Sequence, residues 1–153
     1  MLILCCGNPD RGDDAAGILV AERLKELSID TQVCTGEPSV LLQQWDGAHD
    51  VLLIDAVVTG SPAGTIHVWN ASRTRLPPQP SESTHGFGVA LAIELARKLG
   101  SLPERLRVCG IEAGNFDLGA KPSAAIQKAV EDLADRIAAE CSHQSQDSLP
   151  VLL

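Results

Sequence analysis

The chain opens on Leu2-Ile3-Leu4-Cys5-Cys6, five apolar residues in succession, broken at once by Gly7, Asn8 and Pro9. A run this short, apolar at every position and not at alternate ones, is what a central strand needs when helices cover both faces of its sheet. The pattern recurs at Val51-Leu52-Leu53-Ile54, closed by Asp55, and Leu106 to Gly110 gives another strand. Between these runs lie helical periodicities. Ala16, Val20, Leu24 and Leu27 share one face while Glu22, Arg23, Lys25 and Glu26 take the other, which predicts a helix near 14–27. A strand near 29–35 and a short helix from Pro38 to Trp45 follow. Thr65 to Trp69 alternates polar and apolar after the turn signal Ser61-Pro62-Ala63-Gly64, the pattern of a half-exposed edge strand for which an antiparallel course is open. Pro77 to Thr84 reads as a loop, and Phe87 to Leu99 as a largely buried helix. In the last helix Ile126, Val130, Leu133 and Ile137 are spaced four, three and four apart. Strands alternating with helices imply right-handed crossovers and a mainly parallel sheet in a three-layer α/β/α sandwich. One domain over 1–141 with a tail over 142–153 is the expected organisation.

Charge removes several function classes. The net charge of −8, with Lys and Arg scattered, provides no basic stripe for nucleic acid. Apolar runs fall far short of the roughly 20 residues that span a membrane, and no signal peptide opens the chain, so a cytoplasmic protein is expected. Five cysteines (Cys5, Cys6, Cys34, Cys109 and Cys141) lack CxxC spacing, and three of them end strand-like runs. Buried free thiols are the expectation, with zinc binding or a catalytic thiol as alternatives.

In open α/β sheets ligands gather beyond the carboxyl ends of the strands. Asp13 and Asp14 follow the first strand at the mouth of a helix, Asp55 closes the central strand, and His85 precedes the buried helix, with Ser83 or Thr84 as its cap. Taken singly, each has a plain structural explanation: a helix-start charge, an acceptor for a following turn, an exposed imidazole. Their expected convergence on one rim favours chemistry. Two carboxylates and an imidazole form a mixed oxygen and nitrogen set for a divalent metal such as zinc, nickel or manganese, and three protein ligands leave positions open. A phosphate cradle is excluded, since Gly7 to Gly12 is not a nucleotide-binding pattern and Asp10, Asp13 and Asp14 would repel an anion. No G-x-S-x-G is present. Within the opening loop Gly7, Asn8 and Gly12 shape the turn, Asp13 serves the helix start and Asp10 is solvated.

Four segments in order, GNPDRGDDAAG (Gly7 to Gly17), LLIDAV (Leu52 to Val57), STHGFG (Ser83 to Gly88) and VCGIEAGNFDLG (Val108 to Gly119), resemble the hydrogenase maturation proteases. These endopeptidases trim the C-terminal extension of nickel–iron hydrogenase large subunits. The resemblance implies a mixed five-stranded sheet with one antiparallel strand. By position it makes Asp14, Asp55 and His85 both the metal ligands and the catalytic set of an aspartyl-type protease, with Gly7, Asn8, Gly12 and Thr84 against the substrate. It implies no cofactor of the protein's own: the metal is the nickel of the substrate, with zinc, cadmium or manganese able to occupy the site in vitro. The implied partner is the large-subunit precursor, with neither nucleic acid nor membrane. Glu112 stands in IEAGNF where many members have Ile-Glu-Pro, a departure that bears on any substrate-loop role for it. Two other readings fit the same open site: a nickel checkpoint that holds the precursor without cutting, and a metal-dependent hydrolase of small molecules.

Overall fold

The computed structural model describes residues 1–78 and 84–147, the side chains of 84–87 and 145–147 excepted. Two apolar runs form the centre of the sheet: β1 (Leu2–Cys6) and β3 (Asp50–Val57) pair in parallel, with Cys5 opposite Ile54. Outside β1 lies the parallel β2 (Gln32–Cys34). Outside β3 lies the parallel β5 (Arg105–Glu112), and on β5 the antiparallel β4 (Ile66–Asn70), giving the order β2-β1-β3-β5-β4. This is the expected mixed five-stranded sheet, and the alternating Thr65–Trp69 stretch supplies its antiparallel edge.

Alternate residues of the central strands feed two cores. Ile3, Cys5, Leu52 and Ile54 face α1 (Ala16–Glu26) and α4 (Ala124–Asp147). Leu4, Cys6, Leu53 and Val108 face α2 (Pro38–Gln44) and α3 (Thr84–Leu99). Each such aliphatic side chain contributes roughly 1.5–3 kcal/mol on full burial. That is why strands apolar on both faces are stable at the centre of the sheet. Helix α1 approaches the sheet so closely that a Cβ on Gly17 would collide with the carbonyl oxygens of Cys6 and Ile54. No helix among the described residues is long and apolar enough to cross a membrane.

Several boundaries differ from the sequence expectation. The helix near 14–27 is preceded by a separate 3-10 turn, Gly12–Ala15. The strand near 29–35 shortens because the Ile29 N–H is taken by Leu24 O at 2.9 Å, keeping it in the turn that ends α1. β3 and β5 run on to Val57 and Glu112, so Asp55 lies inside its strand and does not end it. α4 continues through Asp147, since Ser142 to Asp147 contains neither glycine nor proline to stop it.

One expectation is overturned. Cys6 and Cys34 are not free thiols: each ends its strand, they face each other in the β1–β2 register, and they form a disulfide with Cα atoms 4.6 Å apart. Neither CxxC spacing nor sequence proximity signals this pair. Cys5, Cys109 and Cys141 take no part in a disulfide, and burial pushes the Cys5 and Cys109 thiols up to about 12 and about 11.

Candidate active site

From β1 the chain crosses to β2 on one side, whereas beyond β3 it builds β4 and β5 on the other. The carboxyl ends of β1 and β3 therefore flank a topological switch point, where an open α/β sheet leaves a crevice. Asp14 reaches this crevice from the 3-10 turn after β1, and Asp55 from within β3. Both are shut away from water, at 0% and 2% exposure. The turn is held from beneath: the Asn8 N–H donates to Asp14 O at 3.1 Å, and Gly7 lies so near that oxygen that a Cβ would strike it. Asp55 Oδ1 accepts from the Ala56 N–H at 2.8 Å.

Burial raises the Asp55 carboxyl well above the ordinary carboxylate range, the negative charge of Asp14 raises it further, and the Ala56 hydrogen bond offsets part of the rise. Two carboxylates that sense each other's charge out of water are costly unless a proton or a cation lies between them. Their oxygens suit a divalent cation. Among the described residues no third His, Cys, Asp or Glu joins them in a group able to hold a metal ion. His85, the third ligand implied by the sequence, belongs to the first turn of α3, and its side chain and that of Thr84 lie outside the described residues. The site also borders an apolar recess lined by Asp55, Val57, Trp69, Leu76 and Val89.

The neighbouring carboxylates do different work. Asp13 is fully buried and accepts from the Gly114, Asn115 and Ser123 N–H groups at 2.8, 3.0 and 2.8 Å. It does not cap its own helix, as the sequence reading had it; it clamps the loop between β5 and α4. The same two segments are joined by backbone bonds from Gly12 N to Ala120 O, Asp13 N to Asn115 O and Gly119 N to Asp10 O. Gly12, at φ +54°, takes a conformation that glycine accepts readily, and Asn8 Oδ1 accepts from the Asp10 N–H at 2.9 Å. Gly7, Asn8 and Gly12 thus make contacts that shape the loop beneath Asp14.

Glu112 is likewise buried and occupied. Its Oε1 accepts from the Thr59 and Gly60 N–H groups at 2.7 and 3.0 Å, while Oε2 accepts from Thr59 Oγ1 at 2.8 Å and lies 3.1 Å from His67 Nε2. Burial alone would raise this carboxyl, but the hydrogen bonds from Thr59, His67 and Gly60 outweigh it and hold the group below the usual range. His67 stacks on Trp69 with ring centroids 5.1 Å apart. Sequence reading missed His67. Its only signal was the alternation of β4, which places His67 and Trp69 on one face.

A carboxylate pair able to hold a proton or a cation in a sheltered crevice has the chemistry of a hydrolase. The sequence matches the family described as HycI, hydrogenase maturation protease, over residues 20–140, and the chain belongs to that family; it is a peptidase. Among solved structures it is similar to the hydrogenase maturating endopeptidase HybD from E. coli, at 18% identity over 94% of this chain and 92% of that one, with a TM-score of 0.74. The [NiFe] hydrogenase maturation protease HycI from Thermococcus kodakarensis KOD1 is 28% identical over 90% and 89% of the two chains, with a TM-score of 0.63. The solution structure of the endopeptidase HycI from Escherichia coli gives 20% identity over 90% and 88%, with a TM-score of 0.72. No curated protein sequence matches the chain.

Proposed function

We propose that this peptidase removes the C-terminal extension of a nickel–iron hydrogenase large-subunit precursor once nickel is in place, and that Asp14, Asp55 and His85 read that nickel. The observation that carries the reading is the buried, charge-coupled pair Asp14 and Asp55 at the switch point of the sheet. The nickel arrives as part of the substrate, so the protein supplies ligands and no resident metal. Before docking, burial and the neighbouring Asp14 favour the protonated form of Asp55. Docking of the metal-loaded precursor places positive charge between the carboxylates and displaces that proton. One of the two then accepts a proton from the attacking water, and His85 completes the ligand set. Precursor without nickel leaves the pair protonated and uncut. Proteolysis as the family activity favours this reading over a checkpoint that binds without cutting and over a small-molecule hydrolase.

The experiment is incubation of purified protein with nickel-loaded and nickel-free precursor, with the mass of each followed over time. Loss of the extension from loaded precursor only is expected, with Asp14→Asn, Asp55→Asn and His85→Ala each abolishing it. Normal trimming by any of these variants would remove that residue from the site.

A further inference from the structure

We infer that the Cys6–Cys34 pair is a site of reversible oxidation whose closure tightens the grip of Asp14, Asp55 and His85 on a divalent metal. The inference rests on the metal-reading role proposed above. Its basis is where the two half-cystines lie. Cys6 and Cys34 are the last residues of β1 and β2, opposite each other in register and 1% and 4% exposed.

From this cross-link two backbone connections lead into the site. On one side Cys6 is followed by Gly7 and Asn8, the residues that support Asp14 O, and Gly7 N donates back to Cys34 O at 3.2 Å. On the other, Cys34 leads through Thr35 to Gly36, whose carbonyl oxygen lies against Gly88 so closely that a Cβ there would collide with it. Gly88 is three residues past His85 in α3. The disulfide therefore joins the strand end beneath Asp14 to the segment on which the His85 helix is seated.

Without the bond that junction is weak. β2 has only three residues, forms one edge of the sheet, and exposes Val33 by 56%. Short edge strands of this kind open locally far below the global unfolding free energy. Opening β2 unseats Gly36 from α3 while β1, still paired to β3, stays in place. Ligands held on two elements that move independently are less preorganised, and metal affinity falls.

The redox step needs a dithiol reductant. Its thiolate attacks Cys34 Sγ when the short edge strand frays around the intact cross-link, the S–S bond breaks, and Cys6 leaves as a thiolate that takes a proton. The second thiol of the reductant then attacks the mixed disulfide, releasing Cys34 as a thiol and leaving the reductant as its own disulfide. Two electrons and two protons pass to the pair. A disulfide oxidant of the same class reverses the exchange.

The test is calorimetric titration of the full chain with Ni²⁺. One sample is oxidised; the other is reduced with dithiothreitol and freed of it under nitrogen; alkylation and intact mass report the state of each. Freed thiols can themselves take nickel, so the Cys6→Ser/Cys34→Ser double variant is the reference for the open state. The oxidised protein is expected to bind at least about tenfold more tightly than the double variant, which itself does not respond to dithiothreitol. Asp14→Asn should abolish the tight binding. Equal affinity in the oxidised protein and the double variant, with Asp14→Asn still abolishing binding, overturns the inference and leaves the site reading standing. Unchanged affinity in Asp14→Asn overturns both. A chain that shows no cross-link by mass after oxidation also overturns the inference.

Discussion

Glu112 offers the sharpest test of how buried carboxylates divide their labour in this fold. Its four donors are of two kinds. The Thr59 and Gly60 N–H groups are fixed donors, whereas Thr59 Oγ1 and His67 Nε2 can donate or accept, the imidazole by changing tautomer. In Glu112→Gln the amide oxygen can face the two backbone groups and the NH₂ the two adaptable ones. All four contacts survive, but they lose their charge assistance, at a cost of about 1–2 kcal/mol. Glu112→Ala strands the two backbone donors and leaves a void, and costs about 3–5 kcal/mol. The difference between wild type and Glu112→Gln should depend on pH with a definite sign. The folded carboxyl lies below its unfolded value. Its contribution is therefore complete above about pH 4.3, the unfolded glutamate value, and is lost as pH falls through the depressed folded value. Urea unfolding of the three proteins at neutral pH, and of wild type and Glu112→Gln down to about pH 3, measures both quantities. A cost below about 1 kcal/mol for Glu112→Ala, or a wild-type advantage over Glu112→Gln that does not shrink in acid, would refute the reasoning.

Three other outcomes are expected. Asp13→Ala removes the acceptor of three backbone N–H groups and should cost about 3 kcal/mol or more in urea unfolding, far above a helix-start charge at about 0.3–1 kcal/mol. Gly17→Ala should lower the melting temperature by several degrees or prevent folding, because its methyl meets backbone oxygens that cannot move aside. Cys5 and Cys109, raised to about 12 and about 11, should resist iodoacetamide in the native protein at pH 8 and react in urea, with mass spectrometry counting the adducts.

What could be read from the sequence was what local pattern determines. Unbroken apolarity named β1 and β3 as central, a mostly apolar run named β5 as a further strand, the alternation through His67 and Trp69 named the edge strand, and the order of elements put Asp14 and Asp55 at one rim. What escaped depends on register between distant segments. Cys6 meets Cys34 only because β1 and β2 align as they do. Asp13 and Asp14 are neighbours of the same type in one acidic loop, and nothing local separates them; the approach of Gly114, Asn115 and Ser123 claims one and leaves the other to the crevice. The expected strand ends at Asp55 and Gly110 fall short because an acid and a glycine interrupt the apolar runs there, whereas Ala56, Val57, Ile111 and Glu112 beyond them still pair across the sheet.

The seam between the Asp10–Asp13 loop and the Asn115–Ser123 loop also bears on the order in which the molecule can be assembled. Its bonds join residues about a hundred positions apart, so the loop entropy they must overcome is spent late, after the intervening sheet has formed. A chain emerging from the ribosome therefore presents Asp14 long before the start of α4, and cannot fix it in place until that helix has followed. Truncated or incompletely synthesised copies would carry the acidic loop without its clamp, and peptide-cutting competence arrives together with the completed fold.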